Sequence, residues 1–522
     1  MPSAAISSAS SPRSITFGIR KSREAVMTSL AHFEELAKAI ELPRDAVIDG
    51  RLQPSRSGRR FDNITPRNGT VLNGVAECDA ADIDAAVASG RRAFEDGRWR
   101  NLHYRDKKRV LFALADLIKR DAETLAVLES LDVGKPIKNA LNSDIPGSIR
   151  TLRYYAEALD KIYGEVGPGT SDRFSFTVHE PLGVIGAIVP WNFPLLMAMW
   201  KVAPALAMGN SVVLKPAEQS PMTALKLGQL ALEAGLPAGV LNAVPGFGAA
   251  AGKALALHRD VDMIAFTGSG AVGRLLMQYS GESNLKRVSL ELGGKSPQIV
   301  FADCPDLDAA ALQAAWGIFY NQGEVCTAAS RLLVHEDIAD AFLDKVLAIA
   351  QGIVPGDPLE PATSFGAMVS AEQMQTALRY IEGAAQEGAA LRLGGKRARI
   401  ESGGFYVEPT VFDGVAPQAA LAREEVFGPV LAVTRFKEPD EAIHLANDTV
   451  YGLAAGLWTR DVSLAHRAAR EIRAGLVWVN GWDACDITMP FGGFKQSGFG
   501  RERSLHALYK YADLKSVSIT IR

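Results

Sequence analysis

The sequence predicts an α/β protein built on mostly parallel sheets with helices on both faces. Three observations carry that expectation. Strand and helix signals alternate from about residue 105 onward, and the strand signals are short β-branched or apolar runs that read as buried strands. The alternation falls into two successive series, the second from Asp306 to about Asn480. The chain of 522 residues holds about three domain-sized units at roughly 100–200 residues each. Two α/β units in sequence plus a small accessory element is the simplest architecture.

Taken in chain order, residues 1–26 are Ser-rich, with Arg13, Arg20, Lys21 and Arg23 against the single acid Glu24. A transit peptide has that composition, but no apolar core or small-residue cleavage site accompanies it. An unstructured extension, or an upstream start codon with Met27 as the true start, is the expectation. Arg105 to Ser130 repeats apolar residues at helical spacing. Val184 to Trp200 is too short for a comfortable membrane span, and Pro190, Asn192 and Pro194 interrupt it. It reads as a buried strand, a turn and then a helix. Ser211 to Lys215 is a β-branched strand; Ser220 followed by Pro221 starts a helix that Gly235-Leu236-Pro237 stops. Val240–Val244, Met263–Phe266 and Pro297–Phe301 are further strands. The second series breaks near Pro355-Gly356, Gly394-Gly395 and Gly403-Gly404, with no fixed-period repeat. Alternating Val517 to Ile521 is patterned as an exposed edge strand.

Composition removes several classes of function. Hydrophobic residues at 48% and charged residues at 22% exclude a disordered or fibrous chain. Lys+Arg 56 against Asp+Glu 59 shows no sign of a nucleic-acid or anionic-membrane partner. Four cysteines without a CxxC or metal spacing point to a reducing compartment, the cytoplasm, with one working thiol and no metal.

Four segments could carry chemistry. Gly268-Ser269-Gly270-Ala271-Val272-Gly273 is a GxGxxG between a strand and a helix, where backbone N–H groups can approach a pyrophosphate. Alone it is weak among 48 glycines. Cys326 follows Asn321-Gln322-Gly323-Glu324-Val325, with a glycine to turn the backbone, hydroxyls after it and a nearby helix whose N-terminus could stabilise a thiolate. A buried structural thiol is the bland alternative, and it is the one assigned to Cys78, Cys304 and Cys485. Glu291, between leucines in LELGGKSP, is either a solvated strand end or a carboxylate whose pKa an apolar pocket raises toward general-base use. Asn192, in PWNFP, is either a turn residue or a donor to a developing oxyanion.

PWNFP, LKPAE, FTGSGAVG, ELGGKSP, NQGEVC, EEVFGPV and PFGGFKQSG occur in the order and approximate spacing of the aldehyde dehydrogenase superfamily, which the chain resembles from about residue 45 on. Phe301–Leu307 and Ser504–Leu508 resemble its bacterial γ-glutamyl-γ-aminobutyraldehyde and guanidinobutyraldehyde branch. The resemblance implies a Rossmann-like NAD-binding domain over 27–160 and 182–292. It also implies a catalytic domain over 293–499 and an antiparallel oligomerisation element over 161–181 and 500–522, with a homodimer or homotetramer. It makes Cys326 the nucleophile, Glu291 the base, and Asn192 with the Cys326 N–H the oxyanion hole, with Lys201 and Glu502 passing the proton outward. Ile188, Trp191, Lys215, Glu218, Gly248, Phe266, Gly268, Ser269, Val272, Glu425 and Phe427 are implied at the cofactor. A carboxylate at Glu218 would repel a 2′-phosphate, so NAD is expected over NADP. Phe193, Trp200, Trp482 and Phe491 match or neighbour the substrate tunnel.

A thiolate both attacks an aldehyde and leaves from a thioester, which serine does poorly. Aldehyde, NAD⁺ and water would give a carboxylate and NADH. Asp483 and Asp486 near the tunnel mouth, with Glu324 near the nucleophile, are expected to favour a cationic tail. A broad aliphatic aldehyde dehydrogenase is the nearest alternative. A CoA-acylating relative would lack Glu291, and a non-catalytic binding protein would have lost Cys326.

Overall fold

The protein is described by a computed structural model over residues 29–484 and 486–522. The extension expected at 1–26 and Cys485 lie outside the described residues. The first sheet has eight strands. Its parallel centre comprises β1 (Val184–Ile188), β2 (Ser211–Lys215), β3 (Leu241–Ala243), β4 (Met263–Thr267) and β5 (Arg287–Glu291). Their spatial order is β3-β2-β1-β4-β5. The chain therefore builds outward from β1 on one side, then returns to build β4 and β5 on the other. That reversal opens a crevice beyond the carboxyl ends of β1 and β4, where ligands bind in open α/β sheets.

Both faces of this sheet are covered, which is why its strands read as unbroken apolar runs. Ile185, Ala187, Val212 and Leu214 pack with Leu195 to Ala207 of α2 (Pro194–Ala207) and with Leu227 and Leu230 of α3 (Met222–Glu233). Val184, Ile188, Val213 and Ile264 face the other way, against Ile83, Ala86 and Val87 of the helix Ala80–Glu95. Below α2 runs α1 (Ile145–Ala158), and α4 (Gly270–Glu282) follows β4.

The second sheet has seven strands. They are β6 (Pro297–Val300), β7 (Arg331–His335), β8 (Thr410–Asp413), β9 (Val430–Phe436), β10 (Ala454–Trp458), β11 (Leu476–Val479) and the antiparallel edge Ala390–Leu393. The order from β8 is β8-β9-β7-β6-β10-β11, all parallel. Helix α5 (Leu307–Phe319) links β6 to the segment that holds Cys326, and α6 (Ala371–Gln386) precedes β8. The third element is a ribbon in which Arg173–Pro181 pairs antiparallel with Ala512–Thr520. It falls where the accessory element is expected.

Several expectations need correction. The helical pattern Arg105–Ser130 is two helices, Tyr104–Arg120 and Ala122–Val133, because Asp121 leaves the helical region at ψ 21°. Ser220 does not cap α3: the helix starts after Pro221 with no side-chain cap, and the buried Ser220 hydroxyl has no partner. The strand at Pro297 belongs to the second sheet, pairing with β7 and β10. Gly498 and Phe499, expected inside the catalytic domain, pair with Glu291 and Leu290 and so edge the first sheet.

Candidate active site

Cys326 owes its position to a tight turn. Helix α5 ends at Phe319, and Asn321, Gln322 and Gly323 then take φ of 47°, 58° and 76°, a left-handed run. Such backbone is costly for residues with a Cβ and persists only where surroundings hold it. Here Gln322 Oε1 accepts from Gly366 N at 2.8 Å, and Asn321 Nδ2 donates to the Asn192 and Glu324 carbonyls, each at 3.3 Å. At Gly323 a Cβ would strike the Gly428 carbonyl. The turn directs Val325, Cys326 and Thr327 onto the wall of a cavity of about 650 Å³. No helix starts at Cys326, contrary to expectation; α5 ends before it. Burial, then the carboxylates of Glu425, Glu291 and Asp483, push the thiol up to about 12.

Asn192 shares that wall, in the turn between β1 and α2. Its Nδ2 donates to the Glu324 carbonyl at 2.8 Å, which ties the amide to the segment bearing Cys326. The second N–H of the amide remains for an oxygen beside the sulfur. Phe193, Leu196, Met197, Trp200 and Phe491 continue the wall as an apolar bore. Beneath Phe193 lies the buried Lys135 ammonium, 4.1 Å from the ring centroid and paired with Asp144. At the mouth stand Asp483 and Asp486, both exposed. The mouth is not purely acidic, because Arg150 and Arg503 line it as well. The Arg503 guanidinium lies 5.5 Å from the Trp200 ring centroid. Trp482 lines an adjoining vestibule with Trp316 rather than the main cavity. Glu324 is not a tunnel residue: it is fully buried, Oε1 accepts from Val369 N at 3.0 Å, and burial pushes its carboxyl well up.

Glu291 ends β5 and does not line the cavity. Both carboxyl oxygens are buried without a hydrogen-bond partner. Burial, then Glu502, pushes this carboxyl well above the usual range, against the pull of Lys510, Lys201 and Arg501. Behind it the buried Glu502 pairs with Lys201 at 2.7 Å and with Lys510 at 2.9 Å.

The crevice fits a dinucleotide. Ser269 caps α4, its Oγ accepting from Val272 N at 3.3 Å, so an α-helix N-terminus with its positive dipole end faces the crevice. Open space surrounds Gly248, and Gly268 follows the end of β4, where a Cβ would strike the Phe266 ring. Ile188 and Lys215 end β1 and β2, and the partly exposed Glu218 carboxylate pairs with Lys215 at 3.1 Å. These groups are set apart from the cavity, whereas Trp191, Gly268, Ser269, Glu425 and Phe427 line it beside Cys326. Phe427 holds φ 53° and meets Trp191 edge-on at 5.2 Å. The amide of Gln373, at the start of α6, donates to the Val426 and Phe427 carbonyls at 3.0 and 2.8 Å. The Glu425 carboxylate accepts from Gly294 N at 2.9 Å, and burial raises it to about 7.

Sequence reasoning missed Gln373, Arg503 and Lys510. The first two line the cavity and the third backs Glu291. None stands in a glycine- or proline-marked motif; adjacency to Glu502 is the only signal that pointed toward Arg503.

A cysteine and an amide on one wall between a dinucleotide crevice and an apolar bore, with a buried carboxylate behind, are the arrangement of an aldehyde-oxidising site. The chain belongs to the aldehyde dehydrogenase family, whose model matches residues 53–517. It is 49% identical over 492 residues to the NADP/NAD-dependent aldehyde dehydrogenase PuuC of Escherichia coli (strain K12), covering 94% of this chain and 99% of that protein. The crystal structure of γ-glutamyl-γ-aminobutyraldehyde dehydrogenase from Burkholderia cenocepacia J2315 superposes with a TM-score of 0.93 at 55% identity, covering 95% of this chain and 100% of that one. That of indole-3-acetaldehyde dehydrogenase complexed with NAD⁺ superposes with a TM-score of 0.94 at 54% identity, covering 94% of this chain and 100% of that one.

Proposed function

We infer that this enzyme oxidises an aldehyde with a nitrogen-bearing tail, an ω-amino-, γ-glutamylamino- or guanidino-alkyl aldehyde, to its carboxylate with NAD⁺. One observation carries the reading: Cys326 and Asn192 share the wall of a cavity whose apolar bore ends at Asp483, Asp486, Arg150 and Arg503. Acids suit an ammonium or guanidinium, and arginines beside them suit the carboxylate of an amino-acid-like tail.

Cys326 Sγ adds to the aldehyde carbon, and its proton passes to water at the open mouth of the cavity as the bond forms. The oxygen becomes an oxyanion beside Asn192 Nδ2 and the Cys326 N–H. Trp191, Gly268, Ser269, Glu425 and Phe427 would hold the nicotinamide, which when bound would supply the acceptor for the hydride of that carbon. Glu291 then takes a proton from water, the hydroxyl adds to the thioester carbon, and the carbon–sulfur bond breaks to release the acid. Lys201 and Glu502 carry the proton away. Glu218 disfavours a 2′-phosphate, which supports NAD over NADP. The sparse cysteines support a cytoplasmic location.

The test is NADH formation across matched ω-amino-, ω-guanidino-, γ-glutamylamino- and plain aliphatic aldehydes. A large kcat/KM advantage for nitrogen-bearing tails is expected. Equal values across the panel would leave a broad aliphatic aldehyde dehydrogenase, the reading that the aromatic bore alone would favour.

A further inference from the structure

Glu502 lies between two lysines that come from separate elements. Lys201 sits in the middle of α2, and Lys510 follows the short helix His506–Tyr509 near the carboxyl end of the chain. Lys201 and Glu502 side chains are 1% exposed, that of Lys510 12%. Lys201 Nζ makes a hydrogen bond of 2.7 Å to Glu502 Oε1. Lys510 Nζ forms an ion pair of 2.9 Å with Oε2. Its buried ammonium also lies 5.0 Å from the Tyr511 ring centroid.

A buried ammonium is expensive, and its partner already has a lysine. With Lys201 alone the pair would be neutral, and only Arg501 would still offset the burial of Glu291. With Lys510 the three groups carry one net positive charge behind it. We propose that Lys510 is a positioning residue for thioester hydrolysis, holding Glu502 and supplying the charge that lets the Glu291 carboxyl give up its proton. The groups facing this pocket come from four elements. Glu291 ends β5, Lys201 lies on α2, Tyr155 on α1, and Arg501, Glu502, Lys510 and Tyr511 lie in the last segment. Burial, then the carboxylates of Glu425, Glu291 and Asp483, push the Cys326 thiol up. Tyr155 and Tyr511 are pushed up by burial and then by Glu502, and stay neutral. Of the cations that pull Glu291 down, Lys510 acts most strongly.

The step served is the hydrolytic one. Water oxygen bonds to the acyl carbon, the carbon–sulfur bond breaks, the sulfur leaves on Cys326, and the water proton goes to Glu291. The inference rests on the aldehyde-oxidising reading, so its test is made partly without turnover. Glu291 in the unliganded protein is titrated by difference infrared spectroscopy, its protonated-carboxyl band assigned by loss in Glu291→Gln. Lys510→Met is expected to raise the Glu291 titration by about one pH unit or more, equivalent to about tenfold in ionised fraction. Lys510→Arg is expected to restore most of it. Lys510→Met combined with Glu502→Gln, which returns one net positive charge, is expected to bring the titration back toward wild type. In turnover, Lys510→Met moves the acid limb of steady-state kcat upward and leaves the first-turnover NADH burst unchanged. A Glu291 titration unmoved in Lys510→Met, or not recovered in the double variant, overturns the proposal. Wild-type protein that oxidises no aldehyde would instead overturn the functional reading and leave the infrared test standing.

Discussion

Asn192 and Cys326 are joined through one backbone carbonyl, that of Glu324, so the oxyanion donor and nucleophile move together. Asn192→Ala is expected to lower kcat by about 10²–10³ with little change in KM, the usual cost of one oxyanion donor. An unchanged kcat would remove Asn192 from the mechanism. Burial and nearby carboxylates push Cys326 up to about 12, and burial and Glu502 push Glu291 well up. The base works only when ionised, so hydrolysis-limited kcat rises with pH through the raised Glu291 value; a flat profile from neutral to alkaline pH would contradict this. Lys295 supplies a stability test. Its buried ammonium has no hydrogen-bond partner and titrates near 7 instead of 10.5, through burial and then Arg331. Between those values the unfolded chain holds the extra proton, so this group's contribution to stability rises with pH; below about 7 the penalty is full. Lys295→Met removes that slope, and denaturant midpoints of both proteins at pH 7 and 9 would reveal it as a shrinking advantage of the variant.

At the scale of elements, the left-handed turn Asn321–Gly323 is what aims Cys326 into the cavity. Gly323→Ala places a side chain at φ 76° and against the Gly428 carbonyl. It is expected to cost more than about 1 kcal/mol of stability and to displace the nucleophile. Denaturation midpoint and the rate of Cys326 alkylation by iodoacetamide check the two effects; an unchanged alkylation rate would show that the turn does not position the thiol. The strands around the crevice were legible as apolar runs because both sheet faces are covered. The break at Asp121 was not, because Val110, Leu114 and Ile118 before it and Leu125 and Leu128 after it all pack into one core and continue the apolar pattern. The Ser220 cap failed because the residue is buried beneath the strand end, where local preference yields to packing.

At the scale of the whole molecule, the ribbon Arg173–Pro181 with Ala512–Thr520 has little covering it. Phe174, Leu514 and Ile519 are exposed, and Ile521 just beyond. A two-stranded ribbon is marginal by itself, and an exposed apolar edge invites pairing. A homodimer or homotetramer is expected, with the ribbon in the interface. Ile519→Asp is expected to lower the mass measured by sedimentation equilibrium, and a monomeric wild type would refute the assignment.

The sequence by itself determined the α/β class, the strands β1, β2 and β4 and the glycine turn, and it offered Cys326 as the candidate nucleophile. Each depends on near neighbours in the chain: apolar runs, a proline, a glycine, a cysteine among hydroxyls. Tertiary structure decided what depends on residues far apart. It placed Glu324 against Val369 and out of the bore, and Gly498 and Phe499 on the first sheet. It set Arg503 beside Asp483 and Asp486, and brought Lys510 to Glu502 at the back of Glu291. Charge and burial act across space and not along the chain, and no local pattern records which side chains will share a pocket.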